Sequence, residues 1–259
     1  STRLPRAIRD VYKRQVQSMA HTIASLTDAV KSYDKHNVLD QISLDINEGE
    51  LLGLIGPSGS GKTTTIKCLL GMETLNAGST EVFNHSMPNR GVLSHIGYMG
   101  QTDALYENLT AKQNLTFFGH LSGLKGQQLA QSIDQNMKLV NLEGTLDKTI
   151  NTFSGGMKRR LSLAITLLSN PDLIILDEPT VGIDPKLRQQ IWSQLKSLTQ
   201  QGKSVIVTTH VMDEAERCDK IGLIVEGRLF ALGTPDELKQ QFNVNTIEEV
   251  FIKAEEVKH

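Results

Sequence analysis

One segment constrains this chain more than any other: Gly56-Pro57-Ser58-Gly59-Ser60-Gly61-Lys62-Thr63. Its spacing, GxxxxGK[ST], belongs to a strand, a tight glycine-rich turn and a helix in that order. The flanks supply that order. Leu51-Leu52-Gly53-Leu54-Ile55 is apolar on both faces, and the run from Thr64 to Leu70 reads as a helix. The glycines let backbone N–H groups curl around phosphate oxygens without a Cβ in the way, and the helix turns its positive end toward the anion. Lys62 adds a point charge between β- and γ-phosphates, and the Thr63 hydroxyl can ligate Mg²⁺. Gly56, Pro57, Ser58, Gly59, Ser60, Gly61, Lys62, Thr63 and Thr64 are therefore candidate nucleotide-binding residues. A purely structural glycine turn would not need both the buried strand before it and the helix after it.

This cradle alone does not choose between a kinase, a GTPase and an ATPase. A guanine reader of the NKxD type is absent from the sequence. A second element narrows the choice. Leu173-Ile174-Ile175-Leu176-Asp177-Glu178 reads as a buried strand ending in two acids, and Pro179 stops it. Strand alternation sends neighbouring side chains in different directions, so the two acids can take different tasks. Asp177 can hold the Mg²⁺ shell, and Glu178 can polarise an attacking water as general base. The bland reading is a pair of acids capping a strand in solvent.

Upstream, Phe153-Ser154-Gly155-Gly156-Met157 opens another helix. Ser154 with two glycines offers a hydroxyl and bare N–H groups at a helix N-terminus, a second candidate anion site. Lys158, Arg159 and Arg160 follow in the first turn, where cations oppose the helix dipole. An external anion would explain them, and a solvated basic face is the alternative.

SGG at a helix start, followed about twenty residues on by LIILDEPT, resembles the ABC ATPase family from about Ile23 to Leu238. The resemblance implies an α/β P-loop NTPase with a parallel-sheet core, an N-terminal antiparallel β-subdomain and a helical insertion subdomain. It implies ATP and Mg²⁺ as cofactors and further roles at matching positions. Tyr33 resembles the aromatic that stacks on adenine, where an ordinary strand tyrosine is the alternative. Gln101, in Tyr98-Met99-Gly100-Gln101, resembles the glutamine that touches Mg²⁺ and water and couples to a transmembrane partner. Asp184, in Gly182-Ile183-Asp184, resembles the loop that crosses a dimer interface. His210 resembles the histidine that senses the γ-phosphate; alone, it reads as a satisfied strand-end histidine. The family's common LSGGQ stands here as FSGGM, so Met157 replaces a polar contact while Ser154, Gly155 and Gly156 keep the anion-binding part.

The resemblance further implies head-to-tail dimers, homodimers or pseudo-dimers, in which Lys62, Thr63, Asp177 and Glu178 of one protomer face Ser154 and Gly156 of the other across ATP. It implies an integral-membrane permease as partner and a peripheral position on the cytoplasmic face of the membrane. FSGGMKRR, EPTVGIDP and the closing Ile247-Glu248-Glu249-Val250-Phe251 resemble the exporter branch that moves drugs, lipids or polysaccharides. A non-transport regulatory ATPase on the same scaffold is the alternative. A P-loop kinase leaves the SGG helix unexplained.

The remaining chain sets bounds. Among 259 residues, no stretch approaches the roughly 18 consecutive apolar residues a membrane helix needs. The two cysteines, Cys68 and Cys218, lack metal-type spacing and read as reduced thiols. Residues 1–18 contain DVYKRQ, which resembles a translated sequencing-adaptor end, so the expected native start is Met19; a basic amphipathic leader is the alternative. Without residues 1–18 the basic and acidic counts become 22 and 28, a net charge of −6. That balance argues against a broad nucleic-acid footprint. The expected organisation is a catalytic domain over 19–242, its helical subdomain at about 102–170, and a short tail over 243–259. Alternation at Ile42, Leu44 and Ile46 predicts a half-buried antiparallel strand. Apolar runs at 173–176 and 205–207 predict central parallel strands. Stripes at Leu129, Ile133, Met137 and at Leu161, Ala164, Ile165, Leu168 predict helices. Glu226-Gly227 predicts a hairpin turn, and Pro235 starts a helix.

Overall fold

The computed structural model describes residues 21–34 and 36–256; the expected leader and Met19 lie outside them. The first layer is the antiparallel hairpin of β1 (Thr22–Tyr33) and β2 (His36–Asn47), extended by β4 (Ala77–Val82) and β5 (His85–Ser86) in the order β2-β1-β4-β5. On β2, Ile42, Leu44 and Ile46 are buried while Gln41 and Ser43 are exposed. The strand therefore has one wet face and one dry face, as its alternation predicts.

The second sheet contains β3 (Leu51–Ile55), β6 (Ile96–Met99), β7 (Leu173–Asp177), β8 (Ser204–Thr209), β9 (Lys220–Val225) and β10 (Arg228–Gly233). Its order is β10-β9-β3-β8-β7-β6, and every neighbouring pair is parallel except β10 with β9. The continuous apolar runs follow from this layout, because a strand buried on both faces feeds two cores. Leu51, Ile55, Ile174, Leu176, Val205 and Val207 enter one core, whereas Leu52, Leu54, Leu173, Ile175 and Ile206 enter the other. The period of two in strand geometry divides them.

The smaller core lies between the two sheets and takes in Ile66 and Leu69 of α1 (Lys62–Leu69). The larger core is helical. It collects α2 (Ala111–Leu121), α3 (Gly126–Leu139), α4 (Gly155–Leu167), α5 (Pro185–Gln200), α7 (Pro235–Phe242) and α8 (Ile247–Glu256), with the short α6 (Met212–Ala215) beside them. Leu129, Ile133 and Met137 of α3 are buried as a stripe. On α4, Leu161 and Ala164 are buried and Leu168 just beyond its end is too, while Ile165 is only half-buried. The Glu226-Gly227 turn joins β9 to β10 with both φ angles positive, +49° and +74°, the geometry of a tight two-residue hairpin.

Two features add to the expectations. Between the apolar runs at 51–55 and 173–176 the sheet gains a further parallel strand, β6, and α2, α3 and α4 lie between β6 and β7. The strand β6 is four residues long and carries Gly97, which dilutes its apolar signal. That glycine is needed, since a Cβ there would lie 2.7 Å from the Thr166 carbonyl of α4. The segment expected as a tail includes α8, whose Ile247, Val250 and Ala254 are buried in the larger core. Cys68 and Cys218 are free and buried, and burial pushes the Cys68 thiol up to about 11. No helix among the described residues is long and apolar enough to cross a membrane.

Candidate active site

In a parallel sheet, all carboxyl ends point one way, and ligands gather there. The chain places its chemistry at four adjacent ends. β3 runs into Gly56–Thr63, β8 into His210, β7 into Asp177 and Glu178, and β6 into Gln101.

Gly56 must be glycine because a Cβ would meet the Ile224 carbonyl at 2.1 Å. After the turn, α1 begins at Gly61, which sits at φ +107° and gives the helix no side-chain cap. Its first-turn N–H groups are thus left for an outside acceptor, and no acidic residue in that turn competes. Lys62 is 5% exposed, and its ammonium donates to the carbonyls of Gly56 and Pro57, both at 2.9 Å. Burial lowers its pKa, opposed by the charges of Glu178 and Asp177. A buried ammonium with two of three protons engaged has one left to give. The Ser60 hydroxyl is buried in the same loop without a partner. These features suit a polyphosphate.

Beside the ammonium, Thr63 Oγ1 donates to Asp177 Oδ2 at 2.8 Å and accepts from Gln101 Nε2 at 3.2 Å. Asp177 is fully buried, and its other carboxylate oxygen accepts from Thr208 Oγ1. No trio of His, Cys, Asp or Glu that could hold a metal occurs among the described residues. One carboxylate and one hydroxyl, with the Gln101 side chain beside them, instead match a hard, six-coordinate cation that also binds phosphate oxygens.

Glu178 does not continue the strand. Its φ is +54°, the left-handed region, and its N–H donates to Thr208 Oγ1 at 2.9 Å. Such a conformation costs a non-glycine residue about 1–2 kcal/mol and persists only where neighbours hold it. The backbone turn, rather than strand alternation, is what separates the two acids. The Glu178 carboxylate comes 3.3 Å from His210 Nδ1.

The other predicted residues lie apart from this cluster. Tyr33 ends β1, 42% exposed, with the Lys31 ammonium 4.8 Å from its ring centroid. Asp184 caps α5, accepting from Leu187 N at 3.0 Å. Ser154 caps α4, accepting from Met157 N at 3.2 Å, and Ser154 and Gly155 are exposed. Gly156 packs closely, a Cβ there lying 2.9 Å from the Gly182 carbonyl. Met157, which stands where the family has glutamine, packs against the larger core.

The basic triplet is corrected. An external anion is not needed to explain Lys158, Arg159 and Arg160, because all three are engaged within the chain. Lys158 pairs with Glu107, and Arg160 donates to the carbonyls of Val140 at 3.0 Å and Asn141 at 3.1 Å. Arg159 is buried under the acid pair and was not legible as a site residue. Thr208, which holds both Asp177 and Glu178, was also missed. Its signal is the pair Thr208-Thr209 that follows the aliphatic run Val205-Ile206-Val207 within a fully buried strand. Glu214 is a further omission: 2% exposed, it accepts from the hydroxyls of Thr180 and Thr209 and so ties the loop after Glu178 to the strand end before His210.

The family model described as ABC transporter matches residues 39–181. A probable multidrug ABC transporter ATP-binding protein, YbhF of Escherichia coli (strain K12), is 38% identical over 222 residues, 85% of this chain and 38% of that protein. Nod factor export ATP-binding protein I of Sinorhizobium fredii (strain NBRC 101917 / NGR234) is 40% identical over 236 residues, 90% of this chain and 69% of that protein. Among solved structures, an ATP-binding subunit of an ABC transporter matches with a TM-score of 0.83 at 27% identity, covering 90% of this chain and 99% of that one. A cassette solved as a dimer in a post-hydrolysis state bound to ADP and Pi matches with a TM-score of 0.76 at 26% identity, covering 82% and 98%.

Proposed function

The chain belongs to the ABC transporter family, and from that premise we propose that it is the ATP-hydrolysing subunit that powers export across a membrane through a separate membrane-spanning partner. The observation that carries the reading is the convergence of Lys62, Thr63, Gln101, Asp177, Glu178 and His210 at four neighbouring strand ends, with Ser154 and Gly155 exposed outside that cluster. The cluster can hold a triphosphate from one side only. A second copy presenting its SGG helix would close the other side.

In this reading Lys62 and the uncapped start of α1 bind the β- and γ-phosphates. Thr63, Asp177 and Gln101 would hold Mg²⁺, which neutralises charge on the transferred group. Glu178 accepts the proton of the attacking water at its carboxylate. His210 orients that carboxylate and contacts the γ-phosphate. Tyr33 offers its exposed ring to adenine, and Asp184 stands where the partner cassette crosses. The exporter reading is supported by the names of the relatives, a multidrug transporter protein and a Nod factor export protein. The membrane partner is supported by a groove of about 280 Å³ beside Gln101, lined by Tyr98, Leu105, Phe118, Leu121 and Ile165, with Leu121 74% exposed. Such a partner would hold the chain on the cytoplasmic face.

Glu178→Gln tests the reading. The variant should bind ATP and sediment as a dimer in ATP and Mg²⁺ while turnover falls by roughly two to four orders of magnitude. Wild-type turnover, or a protein that stays monomeric with ATP bound, would remove the reading.

A further inference from the structure

Arg159 is a cation on the inward face of α4, in line with Ser162 and Leu163 at the helical spacing of three and four residues. It is 6% exposed, and every hydrogen-bonding group it meets is a carbonyl or carboxylate of the site's own loops. Nη1 donates to the carbonyls of Gly100 at 2.7 Å and Gln101 at 3.2 Å, and to Asp103 Oδ1 at 3.2 Å. Nη2 donates to the carbonyls of Asp177 and, at 2.9 Å, Glu178; Nε reaches the same Glu178 carbonyl at 3.2 Å. Asp103 is itself held by Ser162 Oγ at 2.8 Å, so the counter-ion sits on the same helix face.

A guanidinium has five donors in a rigid plane, and here they are divided between two loops. One loop carries Gln101, whose amide reaches Thr63. The other carries Glu178, whose backbone sits in the left-handed region. The hydroxyl of Thr208 holds the N–H of Glu178, and Arg159 holds its carbonyl. The peptide on each side of Glu178 is thereby fixed, which is what an unfavourable φ needs in order to persist. The guanidinium also belongs to the helix that begins at Ser154. A displacement of that helix start therefore reaches both loops through one rigid group.

We infer that Arg159 is a positioning residue for hydrolysis: it clamps the Glu178 carbonyl and the Gly100–Gln101 backbone on one guanidinium, so the carboxylate that accepts the proton and the glutamine beside Thr63 keep a common register with the SGG helix. The inference rests on the proposed role of Glu178, and it adds a residue whose guanidinium donates to carbonyl and carboxylate oxygens of this chain's own loops.

The test is steady-state ATPase kinetics, ATP affinity by fluorescence titration and thermal melting on the full chain, for Arg159→Met, Arg159→Lys, Glu178→Gln and Arg159→Met combined with Glu178→Gln. Arg159→Met should lower kcat by about tenfold to a hundredfold while the ATP dissociation constant changes by less than about threefold. Arg159→Lys, which keeps the charge but not the fork, should recover only part of kcat. On the Glu178→Gln background, Arg159→Met should lower the residual rate by less than about twofold, because it acts through the residue already lost.

A folded Arg159→Met enzyme with wild-type kcat, or an equal loss of kcat and ATP affinity, overturns the inference. If Arg159→Met does not fold, Arg159→Lys decides: unchanged kcat overturns it, and a reduced kcat with retained ATP affinity supports it. If neither variant folds, Arg159 serves stability and the inference is wrong. Should Glu178→Gln turn over ATP normally, the base assignment fails on its own, whatever Arg159 does.

Discussion

Two helices in this chain start at glycine-rich turns, and they are finished in opposite ways. At α1 the turn leaves the helix uncapped, buries a lysine and packs its first glycine against a carbonyl of β9. At α4 the turn supplies its own cap from Ser154, leaves Gly155 with no atom within 4 Å of where a Cβ would stand, and directs its cations into the protein. The first is a socket built by the chain for an anion. The second is complete as a helix start and has surface to spare. A glycine with no steric reason in its own chain is a glycine whose reason lies elsewhere.

Substitutions at the two turns sharpen that contrast. Gly56→Ala should be the most damaging, because its Cβ meets backbone that cannot swing aside. We expect a loss of about 3 kcal/mol in denaturant unfolding, and a loss near zero would mean the loop is not held as described. Lys62→Ala should weaken ATP binding by about tenfold to a hundredfold, the value of a charge-assisted contact of roughly 1.5–3 kcal/mol. The same residue gives a pH signature. Its folded-state pKa is lowered by burial from the ordinary 10.5, so the ammonium is lost at a lower pH than in an exposed lysine. ATP affinity should therefore decline on the alkaline side before pH 10.5 is reached, and Lys62→Ala should flatten that decline. For folding the sign is the reverse, since burying the charged form costs stability below the folded pKa and the cost is relieved as pH rises through it.

Ser154→Ala should cost about 1 kcal/mol through the lost cap, measured by thermal melting. Gly155→Ala should move stability least, by a gain of about 0.5–1 kcal/mol if anything, since alanine favours a helix start with free space around it. Yet Gly155→Ala should still lower turnover at protein concentrations where dimers form. If both stability and turnover were unchanged, the α4 turn would be only a helix start, and the contrast between the two turns would lose its meaning.

What could be read in the sequence follows the range of the interactions. The α1 socket was legible because it depends on neighbours within a few residues: glycines, one lysine and a buried strand before them. The two-faced burial of β3, β7 and β8 was legible for a similar reason, since an unbroken aliphatic run has few other uses. Arg159 was not, because its acceptors sit at residues 100, 101, 103, 177 and 178, and a basic triplet in sequence looks the same whether it faces solvent or carbonyls. The left-handed turn at Glu178 was also hidden, as no glycine marks it; Pro179 signals only that the strand stops. The strand β6 was lost to its brevity and its glycine.

The placement of β3 has a consequence for how the protein is made. The strand that leads into the phosphate cradle pairs with β8 on one side and β9 on the other, and the turn after β9 donates Gly227 N–H to the Ser60 carbonyl at 2.9 Å. Both neighbours are encoded far downstream. As the chain leaves the ribosome, Gly56–Thr63 emerges early and must wait, unpaired, until residues beyond Val225 arrive to shape it. An unfinished copy carries every letter of the motif but lacks the β8 and β9 pairings and the Gly227 contact that shape the cradle.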